Sequence, residues 1–338
     1  MKRRDFIKAG SLGLIGTVAG TTTLLTWSQR AYSATINVNL SMIAGDVTMI
    51  DDTTAYMFTF SATGLPEFPG PTILCQEGDT IQLSLNNNLN TQSSFKVEGT
   101  SIYKTVAAAS NTSLTFTAPA AGTYLYHDSL NNGVNRVMGL HGALVVMPLG
   151  ITNKSFATGP SFIRQYKWIL GNVDPLWGVA VRTNGHNHVT NTALSINTFK
   201  PRYFTINGQS YNRSKNSNTS LEGLFGEPAL VRMLNAGMAT HSPHFHGNHV
   251  KVISINQKNF TPELIKSKDA VSMFPLDARD VIYPFETPPD AWPPVTGPQH
   301  YPMHCHAEPS QTAAGGMYPH GMHTVIDLGH TPSAEPKL

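Results

Sequence analysis

Six residues near the C-terminus constrain this chain most: Tyr301-Pro302-Met303-His304-Cys305-His306. Along an extended strand, successive side chains point to opposite faces. A thiolate at Cys305 and imidazoles at His304 and His306 therefore serve two sites, one on each side of a sheet. A second histidine-rich run stands upstream, His241-Ser242-Pro243-His244-Phe245-His246-Gly247. Thiolate with imidazole is the ligand mix that suits copper, and two His, one Cys and a weak axial Met form the blue-copper electron-transfer geometry. The two runs together point to copper redox chemistry. Zinc takes the same ligands, but the availability of Met322 favours copper.

A chain of 338 residues is long enough for two domains of ordinary size. Val, Ile, Thr and Ser recur in short runs punctuated by 28 Gly and 23 Pro, a pattern of many short strands and turns rather than long helices. The expected fold class is all-β. Lys2-Arg3-Arg4-Asp5-Phe6-Ile7-Lys8, an apolar stretch from Ala9 to Leu25 and the small residues Ala31-Tyr32-Ser33 read as a twin-arginine export signal spanning 1–33. The stretch is short for a membrane span and is interrupted by Gly and Thr. The expected location is the periplasm or the cell exterior. Loss of 1–33 removes Lys2, Arg3, Arg4, Lys8 and Arg30 against Asp5, so 23 basic and 21 acidic residues become 18 and 20, a net charge of −2. The mature chain has no basic excess to suit nucleic acid.

The chain has two cysteines. Cys75 sits in the apolar run Pro71-Thr72-Ile73-Leu74-Cys75-Gln76 and reads as a buried free thiol. A Cys75–Cys305 disulfide is open to an exported protein, but it would leave the histidines beside Cys305 without a purpose.

The halves echo each other. Gly78-Asp79-Thr80-Ile81 resembles Gly226-Glu227-Pro228-Ala229-Leu230-Val231, and Tyr124-Leu125-Tyr126-His127 parallels Tyr301-Pro302-Met303-His304. Gly139-Leu140-His141 parallels Gly321-Met322-His323. Two copies of one Greek-key sandwich are expected, at 34–150 and 151–338, with a linker at Gly150–Pro160 and a polar, irregular excursion at Asn172–Thr198.

These motifs resemble multicopper oxidases, more narrowly the two-domain, laccase-like members. Pro69-Gly70-Pro71-Thr72-Ile73 with Glu77-Gly78-Asp79-Thr80 resembles the opening of a first cupredoxin domain, and Lys200-Pro201-Arg202-Tyr203-Phe204-Thr205-Ile206-Asn207-Gly208 that of the second. The resemblance implies two cupredoxin-like sandwiches and copper as cofactor. It makes His241 and Cys305 ligands of a blue copper, and His244, His246, His304 and His306 ligands of a trinuclear cluster. It also implies a homotrimer, in which His127 reaches the cluster of a neighbouring chain.

Two departures stand out. Where the spacing to the axial Met322 expects a histidine, Met317 is found; His320 is taken as the second imidazole of the blue site, with His323 as the alternative. A site built on Met317, Met322 and one His would be softer and suit Cu(I). In the first domain, Ser93-Ser94-Phe95-Lys96-Val97-Glu98-Gly99 lacks an expected His-x-His pair, and His127-Asp128-Ser129 keeps one member of another. His186-Asn187-His188 reads as a solvated loop, His141 as structural, and His249, His300 and His330 as without a role in the site.

The expected function is an exported copper oxidoreductase that takes electrons from a phenolic or metal-ion donor and passes them to oxygen. The alternative is a copper-binding electron carrier or copper-handling protein without oxygen reduction, which the missing first-domain histidines favour. A nitrite reductase is a weaker third reading, because Asp128 stands at its cysteine position. Asp277-Ala278-Arg279-Asp280 suits a turn or a role near copper, and Glu308 suits support of His306.

Overall fold

The computed structural model describes residues 14–18, 21–25, 32–211, 218–289 and 291–332. Lys2–Lys8, Ala31 and the tail beyond 332 lie outside the described residues. The described part of residues 1–33 forms two strands, Leu14–Val18 and Thr21–Leu25, the second running parallel to Thr72–Gln76.

The chain builds two β-sandwiches, as its strand-and-turn composition predicts. In the first, a four-stranded sheet runs Thr54–Ser61, Thr35–Thr48, Thr80–Asn87, Ser110–Thr117. Its partner sheet runs from Leu14–Val18 and Thr21–Leu25 through Thr72–Gln76, His141–Met147, Gly122–His127 and Ser93–Val97 to Tyr103–Val106. Strict alternation in Ile36, Val38 and Leu40 buries one face of Thr35–Thr48 in the core with Ile81, Leu83 and Phe95.

The second sandwich has a larger sheet ordered Tyr203–Ile206, Arg164–Val173, Ala229–Asn235, Ala278–Tyr283, Val250–Ile255, Lys258–Asn259. Facing it is a four-stranded sheet ordered Leu221–Gly223, His323–Leu328, Gln299–Cys305, Pro243–Phe245. Trp168, Phe245, Met303, Cys305 and Met322 lie in the core between them.

The sandwiches join through their larger sheets. His141–Met147 is buried along its whole length. Leu144 and Val146 face the first core, whereas Ala143, Val145 and Met147 meet Leu230, Leu234 and Ile282 of the second sandwich. That double burial explains why the strand reads as an unbroken apolar run. Within this apolar layer sits a buried polar knot. Arg232 donates to Thr123 Oγ1 (2.8 Å), Ser155 Oγ (3.1 Å) and Asp280 Oδ2 (3.3 Å), while Thr123 Oγ1 donates to Asp280 Oδ1 (2.6 Å). Asp280 thus ties the two sandwiches together. Asp277 serves a turn, accepting from the backbone N–H of Phe274.

The segment after Asn172 is more ordered than its composition suggests. Asp174 caps a helix, Pro175–Asn184, by accepting from the N–H of Leu176, and Pro175 fills the first turn. Trp177 and Val181 pack into the first core. Gly178 is required there, because a Cβ would stand 2.5 Å from the Tyr56 carbonyl oxygen. His186 staples this excursion to the first sandwich. Its Nε2 lies 2.8 Å from the Tyr56 hydroxyl and its Nδ1 accepts from the N–H of Asn90. It is half-buried, and both ring nitrogens have partners in the first sandwich.

Candidate metal centre

Gln299–Cys305 divides its side chains as a strand must. Met303 and Cys305 are fully buried, whereas His300 and His304 lie on the outer face. Register then collects histidines from three strands. His244 pairs with His304, and His304 with His323, so one row across the sheet carries three imidazoles. His246 and His306 complete the group from the strand ends. His246 Nε2 is 3.2 Å from His304 Nε2. The His244 ring lies 4.4 Å from that of His246 and 4.1 Å from that of His306. One donor atom each from His244, His304 and His306 falls within 4.8 Å of the others.

The electrostatics suit cation binding. Burial, then the neighbouring imidazoles, lower the pKa of His244, His246 and His304, and burial lowers that of His323 to about 4. The rings are therefore held towards the neutral form, with lone pairs free to ligate. Nδ1 of His244, His304 and His323 is buried without a hydrogen-bond partner, a cost that a bound cation or ordered water removes. Tyr211 packs on His323 (4.1 Å between ring centres), and Tyr318 lies edge-on to both His304 and His323 (5.6 and 5.7 Å).

On the inner face, Cys305 Sγ accepts backbone N–H groups from Ser242 (3.2 Å) and Ala307 (3.4 Å). Burial raises the thiol pKa against the hydrogen bonds from Ser242, Ala307 and Ser310, and a bound cation would favour the thiolate. His241 Nδ1 lies 3.8 Å from the sulfur, and His241 Nε2 faces the side-chain amide of Asn172 (3.1 Å to Nδ2, 3.5 Å to Oδ1). Burial lowers the His241 pKa to about 4. Met322 is fully buried in the same core; its N–H donates to Ser310 O, and its carbonyl accepts from Cys305 N. The donor set His241, Cys305, Met322 fits copper by its softness.

The second imidazole of this site is where expectation and structure part. His320 is exposed. His323 belongs to the row of His304 on the other face. Met317 is 81% exposed, which removes the two-methionine arrangement. The group that stands beside His241 Nδ1 is the hydroxyl of Ser310, at 3.0 Å. Ser310 is the fifth residue after Cys305, and the loop from Ala307 to Gly321 folds back over it.

In the first sandwich, His127 does not stand free as a ligand. Its Nδ1 lies 3.1 Å from the carbonyl of Asp128 and its Nε2 2.8 Å from Glu98 Oε2, so both nitrogens are engaged. Lys96 Nζ reaches the same oxygen at 3.0 Å. The hydrogen bond from His127, with help from Lys96, holds the Glu98 pKa down to about 2. Lys96 and Glu98, in the segment that lacks the expected His-x-His pair, form a triad with His127 of the neighbouring strand. Asp128 is buried and accepts from Ser94, Leu130 and Asn135, a structural role. His141 is likewise buried, its Nδ1 2.8 Å from the Arg136 carbonyl oxygen. Glu308 is exposed. Counting five residues on from Cys305 is enough to find Ser310; only strand register places His323 beside His304 and off the sulfur side.

Comparison with known proteins agrees with this architecture. Residues 47–150 match the family model of multicopper oxidases. A copper-containing nitrite reductase from Alcaligenes xylosoxydans xylosoxydans is 26% identical over 224 residues, covering 62% of this chain and 64% of that protein. An L-ascorbate oxidase from Cucumis sativus is 34% identical over 96 residues, covering 24% of this chain and 16% of that protein. The chain therefore matches less than two thirds of the length of either relative. Among solved structures, the blue copper oxidase from Nitrosomonas europaea superposes with a TM-score of 0.67 at 19% identity, over 87% of this chain and 86% of that one. The multicopper oxidase mgLAC gives 0.67 at 20% identity, over 90% and 89%. These likenesses establish the cupredoxin-like fold. The family match covers the first sandwich, the half in which Ser93–Gly99 carries no histidine and Ser129 follows His127 by two residues.

Proposed function

Starting from a chain with a multicopper oxidase domain at 47–150 and a two-sandwich cupredoxin fold, we propose that it is an exported copper-dependent oxidoreductase. The observation that carries this reading is the two-sidedness of Gln299–Cys305. Cys305 faces His241 and Met322 in the core, and its neighbour His304 stands among His244, His246, His306 and His323 outside. Copper held by these residues would supply one-electron transfer on the sulfur side and oxygen chemistry on the histidine side.

The protein's own groups prepare both sides. The N–H groups of Ser242 and Ala307 stabilise negative charge on the sulfur. Asn172 fixes the His241 ring. The backbone from Cys305 to His304 and to His306 links the two faces through a few covalent bonds. Tyr211 and Tyr318 shield the outer row. Asp269, 3.7 Å from His244 Nδ1, places a carboxylate where a proton can be taken up or released. The donor in this reading is a phenol or a metal ion, and four one-electron oxidations, with four protons from the phenol or from solvent, balance one oxygen reduced to two waters. The twin-arginine signal at Lys2–Lys8 delivers the chain to the periplasm or beyond, and a homotrimer would bring the first sandwich of one copy to the histidines of the next.

Two observations favour a second reading, a copper-binding electron carrier or copper-handling protein without oxygen reduction. A hydroxyl, that of Ser310, and not an imidazole stands beside His241 Nδ1, and the Lys96–Glu98–His127 triad engages its own polar groups. Copper per chain and oxygen uptake with phenolic and Cu(I) donors, in wild type and in His244→Ala/His246→Ala, separate the readings. Several coppers per chain that fall in the variant, with oxygen uptake, establish the oxidase. A single copper unchanged in the variant, without oxygen uptake, establishes the carrier.

A further inference from the structure

The outer face of the histidine sheet carries a second ligand cluster at its other end. The register that pairs His304 with His323 also pairs His300 with Asp327. His300 Nδ1 lies 2.6 Å from Asp327 Oδ1. Beyond Leu328 the chain turns at Gly329, which has φ +78°; its N–H donates to the Gly223 carbonyl. A Cβ at Gly329 would stand 2.5 Å from the Phe225 ring, so this tight turn requires glycine. The turn brings His330 back over the strand pair, its ring 4.5 Å from that of His300. One donor atom each from His300, Asp327 and His330 lies within 4.8 Å of the others.

We propose that His300, Asp327 and His330 form a separate binding site for a divalent first-row transition metal. Two imidazoles and one carboxylate are a borderline N2O donor set, matched to Cu(II) and Zn(II) rather than to Mg(II) or Ca(II). A bare His–Asp ion pair accounts for His300 and Asp327 but not for His330, whose Nε2 is buried without a hydrogen-bond partner. A cation accounts for all three. Glu222 stands next to Asp327 in the same row on the neighbouring strand, adding negative charge beside the site. His300 and His304 are four residues apart on one face of one strand, so this site lies about 13 Å along the sheet from the principal centre. It does not depend on the function assigned to that centre.

The test is calorimetric titration of metal-stripped full-length protein with Zn(II), comparing wild type, His300→Ala, His330→Ala and His244→Ala/His246→Ala. His300 is exposed, so its truncation leaves the core intact. Even an outer partner of a metal ligand is worth about 10–100-fold in affinity, so loss of a ligand should weaken this site about tenfold or more. The expected result is one Zn(II) site lost in each of the two single variants and kept in His244→Ala/His246→Ala. Identical titrations for wild type, His300→Ala and His330→Ala would overturn the proposal. So would loss of that site in His244→Ala/His246→Ala alone.

Discussion

Ser310 Oγ lies 3.0 Å from His241 Nδ1, the same nitrogen that stands 3.8 Å from Cys305 Sγ. A hydroxyl thus stands beside the His241 nitrogen nearest the sulfur, whereas a blue copper site takes a second imidazole.

Ser310→His should restore that site. Copper-loaded variant protein is expected to show strong thiolate-to-copper absorption, well above wild type, and to hold this copper about tenfold more tightly, roughly 1.4 kcal/mol. Because Ser310 is only 2% exposed, the larger side chain carries an overpacking cost of about 1–3 kcal/mol. Absorption titration checks the affinity and thermal melting the cost; unchanged absorption would place the missing ligand elsewhere.

His323→Ala tests whether the row across the sheet is a functional unit. His323 shares the row of His304, and its Nδ1 has no protein partner. Copper affinity at the outer centre should fall about 10–100-fold, while absorption from the Cys305 side stays as in wild type. An unaltered affinity would make His323 a packing residue.

The link between the sandwiches rests on a buried charge pair. Asp280→Ala leaves the Arg232 guanidinium, which is fully buried, without its carboxylate. The expected loss of stability is about 3–5 kcal/mol, read from denaturant unfolding. Replacing both residues with apolar ones of similar size should recover part of it, since removing a buried pair together is far cheaper than breaking it.

Part of the acid sensitivity should follow His141, alongside His241 and His323. Burial lowers its pKa to about 4 in the folded state, below the ordinary 6.5. The unfolded chain therefore binds more protons between those values, and stability falls as pH drops from about 6.5 to about 4. The size is on the order of 1–3 kcal/mol from this residue. His141→Gln should flatten that part of the stability profile of the metal-free protein; an unchanged profile would assign the sensitivity to other groups.

The alternation of His304, Cys305 and His306 is a local, period-two property. The sequence by itself therefore determined that the strand serves two faces, that thiolate and imidazoles are separated by one peptide unit, and that the chain is mostly β. Short runs of Ile36, Val38 and Leu40 type carried the sandwich cores in the same way. What lies between Cys305 and Met322 was not legible, because no local period governs it. The path of that loop is set by long-range hydrogen bonds from Met322 N to Ser310 O and from Gly321 N to Gln311 O. Those contacts leave Ser310 beside His241 and His320 at the surface. Register is equally nonlocal: a residue's cross-strand partner depends on where two distant segments meet. Only the tertiary structure could put His323 beside His304, Glu98 between Lys96 and His127, and His300 against Asp327.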